Sequence, residues 1–167
     1  MRLTALIAIA LALAGIPRAA TAQERIGSFV LVQRTDPVTD RNRTFAYTTA
    51  VDAGYLETAI LAWRCDGNRL ELFVKAAEYL DDDDVIVQWR FDSQPPSDMR
   101  LWNPSTNGTG AFAPPDDIEL FTAGAIPARE VVVRLWDYRY NAITYRFRLD
   151  GLVASLRRLP CVPTSTS

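Results

Sequence analysis

An antiparallel, mainly β fold is what this sequence predicts: one sandwich-like domain with one or two short helices, one of them C-terminal. Three observations carry the expectation. Apolar and polar residues alternate in short runs that recur about every ten residues, the pattern of strands with one buried face. Turn dipeptides that tolerate positive φ, Asp66-Gly67-Asn68 and Asn107-Gly108, stand between such runs. The composition, 49% hydrophobic, 10% aromatic and 23% charged, is that of a chain able to bury a core.

Taken in order, strands are expected over residues 28–35, 45–51, 58–65, 69–76, 85–91, 99–102, 110–112, 131–138 and 142–149. The last is the cleanest: Ile143, Tyr145, Phe147 and Leu149 form one face, and Thr144, Arg146 and Arg148 the other. Residues 36–44 read as a polar loop. Two segments break the period of two. Pro114-Pro115-Asp116-Asp117 leads into Ile118, Leu120 and Phe121 and reaches Gly124, which suits one or two helical turns with acids at the positive end of the dipole. Leu152, Leu156 and Leu159 share one face of a second short helix, for which Asp150 is the candidate N-cap. Residues 45–161 form the domain proper, after an N-terminal strand and polar loop over 23–44 and before a flexible polar tail over 162–167.

The N-terminus has its own logic. Arg2, an apolar run from Leu3 to Ile16, and Ala20-Thr21-Ala22 form the three regions of a secretory signal peptide over residues 1–22, with Gln23 as the expected mature start. The run is shorter than the roughly 20 residues of a spanning helix. The chain is therefore expected to be periplasmic or secreted, without membrane insertion after cleavage. In an oxidising compartment Cys65 and Cys161 are expected to bridge, against the alternative of two separately buried thiols.

Charge and residue inventory narrow the functions. With 18 basic and 20 acidic residues the chain carries a formal net charge of −2, a poor match for nucleic acid. It has no histidine, which removes histidine-dependent triads, HExxH sites and His-ligated zinc. A Ser-Lys dyad would have to use Lys75, between Val74 and Ala76 in an ordinary strand position. Paired carboxylates are permitted by composition, but no pair is singled out by its surroundings. No cofactor is implied, and a non-enzymatic role is expected.

Three further features bear on chemistry. The run Asp81-Asp82-Asp83-Asp84 is a candidate cation site, but it lacks the alternate ligand spacing and glycine of a calcium loop. A solvated hairpin turn between the 69–76 and 85–91 strands is the preferred reading. Arg90 and Asp92 flank Phe91 and share one strand face, which suits a structural ion pair. Trp102, with Ser105 three residues on, suits either a binding platform or core packing followed by a turn, and the second is preferred.

The order of LAWRCDGNRLELFVKAAEYL, VIVQWRFDSQPP, MRLWNPSTNGTGAFAPP and VVVRLWDYRYNAITYRFRLDGLVASLRRLPC resembles the VasI family, periplasmic proteins linked to type VI secretion gene clusters. On that resemblance Arg90, Phe91, Asp92, Trp102 and Ser105 occupy recurrent positions, and Cys65 and Cys161 are the bracketing cysteines. The resemblance implies an exported accessory or protein-interaction domain associated with a type VI secretion system. The rival expectation is a periplasmic inhibitor of a cell-wall hydrolase such as lysozyme, its loops at Ser105 or Asp81 to Asp84 entering the target cleft. A carboxylate-based hydrolase is the third.

Overall fold

The computed structural model describes residues 22–36, 38–39, 42–51 and 58–162. The expected signal peptide and polar tail lie outside them, apart from Ala22 and Val162. Among the described residues ten antiparallel strands form one sheet in the order β1-β2-β3-β4-β5-β8-β7-β6-β9-β10. They are β1 (Ala22–Ile26), β2 (Phe29–Thr35), β3 (Asn42–Thr49), β4 (Ile60–Asp66), β5 (Arg69–Lys75), β6 (Val85–Phe91), β7 (Arg100–Pro104), β8 (Gly110–Phe112), β9 (Glu130–Trp136) and β10 (Ala142–Arg148). Among the described residues there are also two helices, α1 (Pro115–Ala125) and α2 (Leu152–Leu156).

The sheet folds back on itself. An isolated antiparallel bridge joins Ala50, just past β3, to Phe147 in β10, and the Val51 amide donates to the Arg146 carbonyl at 2.8 Å. The two halves thus face each other across a shared core, the sandwich that the alternation predicts. β7 turns the corner by pairing with β8 on one side and β6 on the other. The nine expected strands are all present, and β1 is additional: AQERI shows too little alternation for periodicity to find it.

α1 plugs the core. Phe121, fully buried, lies 5.9, 5.3, 5.1 and 6.1 Å from the rings of Trp63, Trp89, Phe91 and Trp102, separations at which aromatic pairs add about 0.5–1.5 kcal/mol beyond area burial. The helix is longer than the one or two turns expected, and Gly124 lies inside it instead of ending it. The reason is packing: a Cβ on Gly124 would sit 2.5 Å from Phe91.

The disulfide forms. Cys65 and Cys161 are bonded, with Cα atoms 5.6 Å apart, and pin the segment after α2 to the end of β4. Leu152, Leu156 and Leu159 are buried as their spacing requires. Asp150 is not the N-cap of α2, since Gly151 takes that place at φ 90 without a side-chain cap. Asp150 instead accepts the Ser28 hydroxyl at 2.5 Å, and its carbonyl accepts the Ser28 amide, which ties the β1–β2 turn to the C-terminal segment.

Candidate binding surfaces

The four aspartates do not form a hairpin turn. β5 pairs with β4 and β8, whereas β6 pairs with β7 and β9, so residues 76–84 cross from one half of the sandwich to the other. Hydrophobic alternation locates both strands but does not say which neighbours they take, and sequential proximity misleads here. Asp81 Oδ1 accepts the amides of Asp82 and Asp83 at 2.8 and 3.2 Å, folding the run into a local turn. Among the described residues no group of three or more acid or thiol side chains is arranged to hold a metal ion.

Arg90 and Asp92 do not pair. Asp92 lies past the end of β6 at φ 44, so the strand's alternation no longer applies to it. Its carboxylate accepts the amides of Arg129 and Glu130 at 3.1 and 3.0 Å, anchoring the start of β9. Arg90 stays exposed beside Pro95, Pro96 and Leu120. The open cleft that gathers Asp92, Glu130 and Asp150 has all three acids engaged, Glu130 by Arg146 at 2.5 Å and the others as described.

Trp102 is sealed in the core, where its indole N–H donates to Asp117 at 2.9 Å. Asp117 is itself fully buried and takes Arg100 through Nε at 2.8 Å and Nη2 at 2.7 Å. No sequence pattern marks this cluster. Asp117 reads in sequence as a first-turn acid, and only tertiary contact distinguishes it from the exposed Asp116. Ser105 belongs to the β7–β8 turn, where its hydroxyl accepts the Gly110 amide at 2.8 Å and donates to Asn107 at 2.7 Å. Core packing followed by turn chemistry is thus what the Trp-Asn-Pro-Ser segment does.

Three loops meet at one end of the sandwich. The Leu80 amide donates to the Gly108 carbonyl at 2.7 Å, which joins the segment 77–84 to the turn containing Ser105. The Tyr138 amide donates to the Leu80 carbonyl at 2.6 Å, which adds the β9–β10 turn. Tyr79 and Tyr138 meet edge to face at 5.6 Å, and Arg139 lies 4.9 Å over the Tyr138 ring. Tyr79, Tyr138 and Tyr140 are 45%, 49% and 78% exposed. Tyr140 sits at φ 62, a conformation rare outside glycine. Partial burial, then the charges of Asp82 and Asp81, push the Tyr79 hydroxyl pKa upward, as expected of a phenol facing carboxylates. In the sequence these tyrosines stand in EYLDDDD and DYRYN, two segments that no local pattern joins.

Among solved structures, the fold is similar to the crystal structure of invasion associated protein B from Bartonella henselae. The TM-score is 0.57 at 8% identity, over 83% of this chain and 95% of that one. At that identity the likeness is one of fold. No family model and no curated protein matches the sequence.

Proposed function

We propose that this chain is an exported, non-enzymatic protein-interaction domain that acts in the periplasm through its tyrosine-bearing loop end, as an accessory of a type VI secretion system. One observation carries the interaction reading: Tyr79 on the 77–84 segment and Tyr138 and Tyr140 on the β9–β10 turn stand exposed on two loops that a backbone hydrogen bond fixes to each other, with the β7–β8 turn bonded beside them. Tyrosine is enriched at interfaces because it offers a large amphipathic surface at low entropic cost, and loops presented by a rigid sandwich are where such contacts are made. The secretion association rests on the VasI-like order of motifs, and export on the N-terminal leader pattern with the disulfide.

A photo-crosslinking residue placed at Tyr140 in cells is the test, with the same probe at exposed Val153 on α2 as control. A discrete adduct from position 140 and none from 153 supports the reading. Equal or absent adducts at both positions overturn it.

The inhibitor reading has one observation in its favour, that the Ser105 turn and the Asp81 segment meet at the same end. Acidic, tyrosine-bearing loops suit the cleft of a cationic hydrolase. A lysozyme-inhibition assay separates the two: loss of enzyme activity at stoichiometric domain selects the inhibitor.

A further inference from the structure

We propose that the cleft between β5, the β7–β8 turn and the start of α1 is a binding site for a neutral saccharide. The cleft measures about 450 Å³, within the range of small-ligand sites. Its walls include Arg64, Glu71, Asn103, Ser105, Phe112 and Pro114. No tyrosine of the loop end lines it, so the site is distinct from the protein-interaction surface, with which it shares only the Ser105 turn.

The charges of the cleft cancel locally. Arg64 pairs with Glu71 across β4 and β5, and Arg69 pairs with Asp66 at 3.3 Å. A ligand with net charge would have to compete with an existing partner, whereas a neutral one that both donates and accepts meets no such cost. The polar groups offered are of that mixed kind. The Asn103 amide and the Thr106 hydroxyl, each able to donate and accept, have no protein partner among the described residues.

The apolar part of the lining is stiff. Phe112 stacks on Phe73 with ring centroids 5.0 Å apart, and the Arg64 guanidinium lies 5.3 and 4.9 Å over the two rings. Pro114, Pro115 and Ile118 extend that lining. The Ser105 turn is locked by its hydrogen bonds to Gly110 and Asn107. A pyranose ring presents one C–H-rich face and a rim of hydroxyls, which matches the apolar surface of Pro114, Pro115 and Ile118 in a cleft that also offers an amide, a hydroxyl and a salt bridge. Preorganisation of the wall keeps the ordering cost of binding low.

The test is an amide-resolved NMR titration of the exported chain with chitotetraose and, separately, cellotetraose, with a sulfated disaccharide as the charged control. Saturable shifts centred on Arg64, Asn103, Thr106 and Phe112 with either neutral probe are expected. Asn103→Ala and Glu71→Gln should each weaken binding about tenfold, the order expected when one or two hydrogen bonds are lost, while the near-UV signal of the buried tryptophans stays unchanged. Absence of saturable shifts with both neutral probes at concentrations on the order of 10 mM, the weak end of specific affinity, overturns the proposal. So do tighter binding of the sulfated control or an Asn103→Ala variant that binds like the parent. None of these outcomes bears on crosslinking at Tyr140, so the two readings fail separately.

Discussion

Asp117 and Trp102 share a 2.9 Å hydrogen bond at a point where both side chains are sealed from solvent. The same carboxylate takes Arg100, so a single acid in the first turn of α1 fastens that helix to β7. Arg100 in turn is held protonated more firmly than usual, first by its hydrogen bond to Asp117 and then by the charge of that acid. Removing the acid leaves an indole N–H unsatisfied in the core and a guanidinium without its counter-charge.

Asp117→Ala should therefore destabilise the domain by about 1–3 kcal/mol, the cost of leaving the Trp102 indole N–H unsatisfied, since the released Arg100 is partly exposed and can be hydrated. Arg100→Ala should cost more, about 3–5 kcal/mol, because it leaves the fully buried Asp117 carboxylate without its counter-charge. Urea unfolding of both single variants and the double variant checks this. The double should fall well short of the sum of the singles, since the two share one interaction; strict additivity would show that the pair does not act as a unit.

The Cys65–Cys161 bridge spans 96 residues of sequence, so it constrains most of the domain in the unfolded state. In the chain-entropy account a loop of that size is worth about 4–5 kcal/mol. Reduction, or the paired Cys65→Ala and Cys161→Ala variant, should lower the melting temperature by on the order of 10–20 °C. Calorimetry with and without reductant reads the shift directly. A change of only a degree or two would mean that α2 and the Leu152, Leu156 and Leu159 face hold the C-terminal segment without the bridge.

Strand positions were legible because a half-buried strand writes its two faces into alternate residues, as β10 does with Ile143, Tyr145 and Phe147. The turns at Gly67 and Gly108 were legible because both glycines need positive φ, 60° and 67°. Pairing order was not legible, because alternation fixes which face of a strand is buried and not which strand lies beside it. That is why residues 81–84 looked like a hairpin. The Asp117 cluster and the tyrosine end were hidden for a related reason: each is assembled from segments far apart in sequence, and no local pattern distinguishes Asp117 from Asp116 or Tyr140 from any turn residue. Asp92 misled through a single left-handed residue, which ends the alternation one position early.

Asp137 organises the turn that presents Tyr138 and Tyr140. Its carboxylate accepts the Asn141 side-chain amide at 2.9 Å and the amides of Arg139 and Asn141 at 2.8 Å. The Asn141 side chain is the chief cause holding its pKa below the usual aspartate value; partial burial opposes this, and the two backbone amides reinforce it. With the folded value depressed, the stabilisation is present above the unfolded value and disappears as pH falls through the lower folded one. Carboxylate titration by NMR should place the Asp137 midpoint below that of an ordinary exposed aspartate, and Asn141→Ala should move it upward. An unchanged midpoint in that variant would show that the backbone amides alone set it.

Gly108 gives the sharpest test of how the loop end is built. It combines φ 67 with close quarters: a Cβ there would lie 2.2 Å from the Tyr79 ring and 3.0 Å from the Asp81 carbonyl. Gly108→Ala must therefore strain the turn and displace Tyr79, whereas Gly67→Ala carries the same positive φ in open space and isolates the backbone cost. Both variants should lose on the order of 1 kcal/mol from the conformational penalty, with a further loss at Gly108 from the displaced ring. The Tyr79 hydroxyl titration should shift only in Gly108→Ala, because that ring alone moves relative to Asp81 and Asp82. If the two variants lose equal stability and leave the Tyr79 titration untouched, the three loops are not packed through Tyr79, and the crosslinking result at Tyr140 would have to be explained by the β9–β10 turn alone.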